Sequence, residues 1–202
     1  LAFADRARWM GDPDFVDVPV LRLVSQAWAD AQRARIDPAR ASAVEAPGAS
    51  VDDAGTTHLS VSDAAGNVVA LTLTINTPFG SGLTVPGTGI ILNNEMDDFT
   101  TRPAAANMFG LVQGENNAVA PGKRPLSSMS PTIVTRDGRL FMVTGGRGGP
   151  RIISTVVGTI MNVVDYGMNL QEAVNAPRIH HQWLPDQIFL EPMALSADTR
   201  AM

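Results

Sequence analysis

The chain has 202 residues, a formal net charge of −5, 45% hydrophobic and 17% charged residues. This composition excludes wholesale disorder, and the mildly acidic balance leaves no electrostatic footprint for nucleic acid or anionic lipid. Cysteine is absent, which removes disulfides, thiolate zinc sites and cysteine nucleophiles together, and no apolar run approaches the ~18 to 20 residues of a membrane helix.

The chain begins at Leu1 with neither an initiator methionine nor a signal peptide, so it reads as a piece of something longer. Residues 1–10 predict a short helix ending at Gly11, then a turn at Asp12-Pro13-Asp14. Over residues 19–36, Val20, Leu21, Val24, Ala27, Trp28 and Ala31 recur at helical spacing, with Arg22, Gln26, Asp30 and Arg33 on the other side. Pro19 suits the first turn of that helix and Pro38 lies just past its end. Residues 40–55 thin into Ala, Ser, Pro, Gly and Asp without a period and read as exposed and flexible.

After Gly55 the period becomes two. Thr57, Leu59 and Val61 alternate with His58, Ser60 and Ser62, Asp63-Ala64-Ala65-Gly66 reads as a turn, and residues 67–76 follow as a second strand. A second hairpin spans residues 131–135, the turn Asp137-Gly138 and residues 140–144. Between the hairpins, residues 77–126 are rich in Gly, Pro and Asn, an irregular length that points to site-building loops. Residues 151–166 form a largely apolar helix, Asn169 and Glu172 are a capping pair for a short helix ending before Pro177, and residues 188–190 read as a last strand.

Four features offer chemistry. Gly55-Thr56-Thr57-His58 opens a strand after an exposed stretch. A threonine hydroxyl needs a base, and cutting the Gly55–Thr56 bond would supply one as the new α-amine; equally, Thr-Thr simply starts a strand. Asn93-Asn94-Glu95-Met96-Asp97-Asp98 could hold an ammonium or a divalent cation, or be a solvated acidic turn. Ser127-Ser128-Met129-Ser130 could hold a carboxylate with hydroxyls and backbone N–H groups, or be a cap or turn. Gly145-Gly146-Arg147-Gly148-Gly149, between strand and helix, could converge N–H groups on an anion or form an oxyanion hole, but lacks the Gly-Lys-Ser/Thr of a nucleotide P-loop. The adjacent His180 and His181 diverge on any one element, which favours packing or hydrogen bonding over a shared metal.

Together these features resemble one family, the γ-glutamyltransferases (glutathione hydrolases), which are N-terminal-nucleophile hydrolases. The resemblance runs in the family's order through Thr56-Thr57-His58, Leu73-Thr74-Ile75-Asn76-Thr77 and residues 92–99, 124–131, 145–153 and 175–185. Ala4-Asp5-Arg6 and Gly11-Asp12-Pro13-Asp14-Phe15 resemble the end of the family's large subunit. It implies a partial four-layer αββα sandwich of the α+β class, whereas the predicted elements alone reach only mixed α and β. It also implies a precursor that cuts itself at Gly55–Thr56, with residues 1–55 as the large-subunit tail and residues 56–202 as a small subunit short of its last strands. Thr56 would be nucleophile and, through its α-amine, general base, with Thr74 assisting by a hydrogen bond. Asn76 would contact the substrate α-carboxylate or the site wall, Glu95 and Asp98 the α-ammonium, Ser127 and Ser128 the α-carboxylate, and Gly148 and Gly149 the oxyanion.

The implied substrates are a γ-glutamyl amide such as glutathione and an acceptor amine or water. The implied partner is the large subunit of the same precursor, the implied location periplasmic or extracellular, and no metal or organic cofactor is required. Phe109 stands where some members carry a lid-loop tyrosine, and Arg147 where many have a small residue or proline. Two alternatives remain: a cephalosporin acylase of the same superfamily, for which the Glu95/Asp98 pair has less use, and an uncleaved homologue acting as a binding module.

Overall fold

A computed structural model describes residues 1–40, 55–102 and 105–201. The stretch expected to be exposed and flexible falls outside the described residues except for Arg40 and Gly55. The chain forms two compact units. The first comprises Leu1–Val51, Glu95–Ser127 and Gln182–Gln187; the second comprises Asp52–Asn94, Ser128–His181 and Ile188–Met202.

In the first unit, α1 (Ala2–Trp9) is built from strong helix formers, with Asp5 in its first turn and Arg6 and Arg8 in its last. It stops at the extended Met10. Gly11 follows because a Cβ there would run into the Asn116 carbonyl and the Val16 side chain. Asp12 then shapes the predicted turn, its carboxylate accepting from the Asp14 N–H at 3.1 Å.

The single helix expected over residues 19–36 is two: α2 (Val20–Leu23) and α3 (Gln26–Arg33). Ser25 separates them. Its backbone is extended, its Oγ accepts from the Trp28 N–H at 3.2 Å, and its hydroxyl donates to the Arg22 carbonyl at 2.8 Å. An N-capping serine competes with helix continuation, and helical spacing alone does not register that competition. The apolar positions of α2 do not line a buried face: Leu21 is 87% exposed and Val20 is exposed too. The described part of residues 95–127 has two short 3-10 turns, Glu95–Asp98 and Glu115–Asn117, and buries Phe99, Phe109 and Leu111.

In the second unit, β1 (Thr56–Ser62) pairs antiparallel with β2 (Val68–Thr74), in the register Thr56↔Thr74 to Ser62↔Val68. Asp63 closes the predicted turn by accepting from the Ala65 and Asn67 N–H groups. The second hairpin is β3 (Thr132–Arg136) and β4 (Arg139–Thr144), turning at Asp137-Gly138 with both φ positive, as a tight right-twisted hairpin needs. β2 lies beside both of its strands.

The apolar helix is α4 (Arg151–Val164), burying Ile152 and Val156; the next, α5 (Leu170–Asn175), has the full Asn169/Glu172 capping box. A short strand β5 (Ile179–His180) pairs antiparallel with β6 (Phe189–Leu190), the last strand predicted. Neither β5 nor the short α6 (Ala197–Ala201) was legible from periodicity. The fold is therefore mixed α and β, with three two-stranded sheets among the described residues. One face of the first hairpin carries the cross-strand pairs Leu59/Leu71 and Val61/Val69 with Leu73, and all five side chains are exposed.

Candidate active site

Thr56 is the first residue of β1 and sits opposite Thr74, the last of β2. In an antiparallel pair directly opposed side chains project to the same face, so the two hydroxyls meet at 3.0 Å. Thr56 is only 5% exposed. The Thr74 hydroxyl also donates to the Gly55 carbonyl at 3.4 Å and accepts from the Asn76 N–H at 2.8 Å. Each hydroxyl has one hydrogen, so when Thr74 O–H is directed at the Gly55 carbonyl, Thr56 O–H is the donor between the two hydroxyls. The Ile75 N–H donates to the same Gly55 carbonyl at 3.3 Å. Gly55 is required here, since a Cβ would strike the Asn76 and Thr77 carbonyls. Asn76 is buried in the left-handed region (φ 75°), and its Nδ2 donates to the Asn94 carbonyl at 3.2 Å, so it braces a loop wall.

The glycine loop leaves β4 at Gly145, where a Cβ would overlap the His58 ring of β1. Gly148 (φ 127°) and Gly149 (φ 53°) lie just before α4, and their carbonyls accept from the Arg151 and Ile152 N–H groups. Among the described residues the Gly148 and Gly149 N–H groups donate no hydrogen bond, which leaves two consecutive donors ahead of a helix N-terminus. Arg147 beside them is exposed. Ser128 also belongs to the second unit, and its carbonyl accepts from the Ser130 hydroxyl.

Glu95, Asp98 and Ser127 belong to the first unit. Glu95 and Asp98 fall in one 3-10 turn, three residues apart and on one side of it. Burial pushes the Asp98 carboxyl up to about 8, helped by its hydrogen bond to Glu95 and by the Glu95 charge; Arg6 opposes the shift and Asp97 adds to it. A carboxyl and a carboxylate sharing a proton make a site that gains from a cation able to take the proton's place. Among the described residues no group of three or more metal-ligating side chains converges. His180 is buried and bonded through Nδ1 to the Ser154 hydroxyl at 2.8 Å, a hydrogen-bonding role within the packing or hydrogen bonding expected of it.

The profile of the Gamma-glutamyltranspeptidase family matches residues 1–202. The chain belongs to this family. It is 52% identical over 202 residues to the glutathione hydrolase proenzyme of Escherichia coli (strain K12), covering 98% of this chain and 35% of that protein. The chain thus spans about a third of the length of the curated relatives it matches. Among solved structures, a mutant of the Helicobacter pylori γ-glutamyltranspeptidase superposes with a TM-score of 0.70 at 52% identity, over 72% of this chain and 78% of that one. A cephalosporin acylase from Bacillus halodurans superposes with a TM-score of 0.80 at 28% identity, over 100% of this chain and 34% of that one.

The structure of this family member also brings out residues that motif reading passed over. Asn117 is 1% exposed, donates to the Asp98 carbonyl at 2.7 Å and accepts from the Leu126 N–H at 3.0 Å. Gln113 is buried and donates to the same Asp98 carbonyl at 3.0 Å. Arg6 and the Asp12–Arg124 pair tie the N-terminal segment to this loop. A buried amide in a Gly-Glu-Asn-Asn run looks no different in sequence from an exposed one, so no local pattern identifies it. Phe109 is buried in a turn whose two N–H groups are accepted by Asn107 Oδ1, and it offers no hydroxyl.

Proposed function

We propose that the protein hydrolyses or transfers the γ-glutamyl group of amides such as glutathione through an ester on Thr56, after cutting itself at Gly55–Thr56. The observation that carries this reading is the hydroxyl chain at that bond, Thr56 to Thr74 to the Gly55 carbonyl. Family membership and relatives called proenzymes support it.

In self-cleavage, Thr56 Oγ bonds to the Gly55 carbonyl carbon and the C–N bond breaks. The hydroxyl proton ends on the Thr56 amine. Thr74 O–H and the Ile75 N–H, both directed at the Gly55 oxygen, stabilise its developing charge. Water then hydrolyses the ester, leaving residues 1–55 and a chain that starts at Thr56.

In turnover the freed α-amine takes the Thr56 proton as Oγ attacks the γ-amide carbonyl. The proton passes to the leaving amine, and a γ-glutamyl ester remains until water or an acceptor amine takes the acyl group. Gly148 and Gly149 N–H groups are the oxyanion donors in this reading. Glu95 and Asp98 grip the α-ammonium, Ser127 and Ser128 the α-carboxylate, and Asn76 shapes the wall.

The large subunit of the same precursor is the partner. The exposed apolar face of Leu59, Val61, Val69, Leu71 and Leu73 is the kind of surface a further sheet covers in a four-layer αββα sandwich. A periplasmic or extracellular location belongs to the same reading. No helix among the described residues is long and apolar enough to cross a membrane.

The test is intact mass spectrometry of the whole gene product over hours at neutral pH, followed by assay on a γ-glutamyl anilide and on a glutaryl amide. Two polypeptides, one beginning at Thr56, with turnover of the γ-glutamyl anilide, are the expected result. Turnover of the glutaryl amide alone makes it an acylase. A persistent single chain makes it a binding module.

A further inference from the structure

Two segments of the first unit hold residues assigned above to the substrate's α-amino-acid head: the acidic turn at Glu95–Asp98 and the stretch ending at Ser127. Neither lies in a sheet or in a helix longer than a single 3-10 turn, so side chains set their spacing: Asn117 links the Asp98 carbonyl to the Leu126 N–H from within the loop. One side chain from α1 reaches both. Arg6 is 8% exposed. Its Nη1 donates to Gln113 Oε1 at 3.0 Å, and the amide nitrogen of the same Gln113 donates to the Asp98 carbonyl at 3.0 Å. Its Nη2 makes a longer contact, 3.5 Å, with the Ser127 carbonyl.

A planar guanidinium suits this task. Its donors diverge at fixed angles, so one buried group holds two acceptors at a set separation, whereas a lysine ammonium offers a point charge on a flexible stem. The charge also attracts the Asp98 side chain, countering the repulsion from Glu95 and Asp97.

We propose that Arg6 is a positioning residue of the α-amino-acid clamp, holding the Asp98 turn and the Ser127 segment in register through one buried guanidinium. The proposal rests on the γ-glutamyl reading above. In that reading Arg6 lies on the N-terminal side of the cut, so the clamp on the small subunit takes its geometry from a side chain of the large-subunit tail.

The test uses the full-length protein and the variants Arg6→Gln, Arg6→Lys and Gln113→Leu. The readouts are KM for a γ-glutamyl anilide, Ki for L-glutamate as a competitive probe, and kcat per processed active site. Arg6→Gln is expected to raise KM and Ki together by about tenfold, the effect of one lost charge-assisted bond, while kcat stays within about threefold. Arg6→Lys, which keeps the charge, falls between it and wild type. A residue that merely anchors α1 would lower the yield of active protein without moving Ki, because Ki does not depend on the folded fraction.

Unchanged KM and Ki in an active, processed Arg6→Gln protein overturn the inference and leave the function intact. Should Arg6→Gln fail to accumulate, Gln113→Leu breaks the same link with the guanidinium in place and is judged by the same two constants. A wild-type protein inert towards the anilide overturns the functional reading, and this inference with it.

Discussion

Thr56 and Thr74 are partners in the register of the first hairpin, and their hydroxyls stand 3.0 Å apart at the carbonyl of Gly55. Thr74→Val keeps the β-branch and the strand while removing the hydroxyl that donates to the Gly55 carbonyl. The Thr56 fragment is expected to appear about a hundredfold more slowly, the usual scale for losing a donor to a developing oxyanion, and Thr74→Ser should restore most of the rate. Intact mass against time reads both.

Gly148 has φ 127°, a conformation that a side chain strongly disfavours. Gly148→Ala is expected to rotate the loop N–H groups away from their common target, since the new Cβ meets only the Arg151 side chain at ordinary contact distance and backbone strain is left as the main effect. Turnover should fall by about 10²- to 10³-fold, as for loss of an oxyanion donor. KM should change little; a variant with wild-type kcat would remove Gly148 from the oxyanion site.

The raised Asp98 carboxyl predicts a pH dependence with a definite sign. Between the ordinary carboxylate range and about 8, the folded protein holds a proton that the unfolded chain has released, so stability falls as pH rises through that window. An α-ammonium favours ionised Asp98, so binding releases the proton. KM for the γ-glutamyl donor should therefore drop as pH rises from 6 towards 8, by at most about tenfold per unit. Asp98→Asn should flatten that slope. Parallel profiles in wild type and variant would show that another group titrates.

Asp12 shows the opposite shift. Arg124 donates to its carboxylate from the guanidinium and from its backbone N–H, and this holds the Asp12 carboxyl well below the usual range. The stabilisation is complete above the unfolded value near 4 and fades only as pH falls towards the depressed one. The N-terminal segment should thus resist protease at neutral and mildly acidic pH. Asp12→Asn should speed its cleavage several-fold at pH 7, with little further change on acidification. Equal digestion rates at pH 7 would mean that the pair does not hold the segment.

Short-range patterns carried most of what was legible in the sequence. Both central hairpins, the apolar α4 and the Asn169/Glu172 box depend on neighbours within a few positions, and the structure has them where the pattern does. The break at Ser25 was missed because helical spacing continues straight across a residue whose side chain caps the next helix. β5 is two residues long, too short for any period to register, whereas its partner β6 falls within the strand read at residues 188–190. At the candidate site, reactive groups in motifs could be named, and the register of β1 with β2 joins Thr56 to Thr74. Gln113 and Asn117 could not be named, because burial is decided by segments that the linear pattern does not connect.

The sequence separations of the polar braces have a kinetic consequence. Asn117 reaches Asp98 across 19 residues and Leu126 across 9, whereas Arg6 reaches Gln113 across 107 and Arg124 reaches Asp12 across 112. Closing a short loop costs less chain entropy than closing a long one. The irregular stretch from Asp98 to Leu126 can therefore gather around Asn117 on its own, before its distant partners arrive. Helix α1 then meets a cradle already partly assembled, and its docking is expected to come after that local closure.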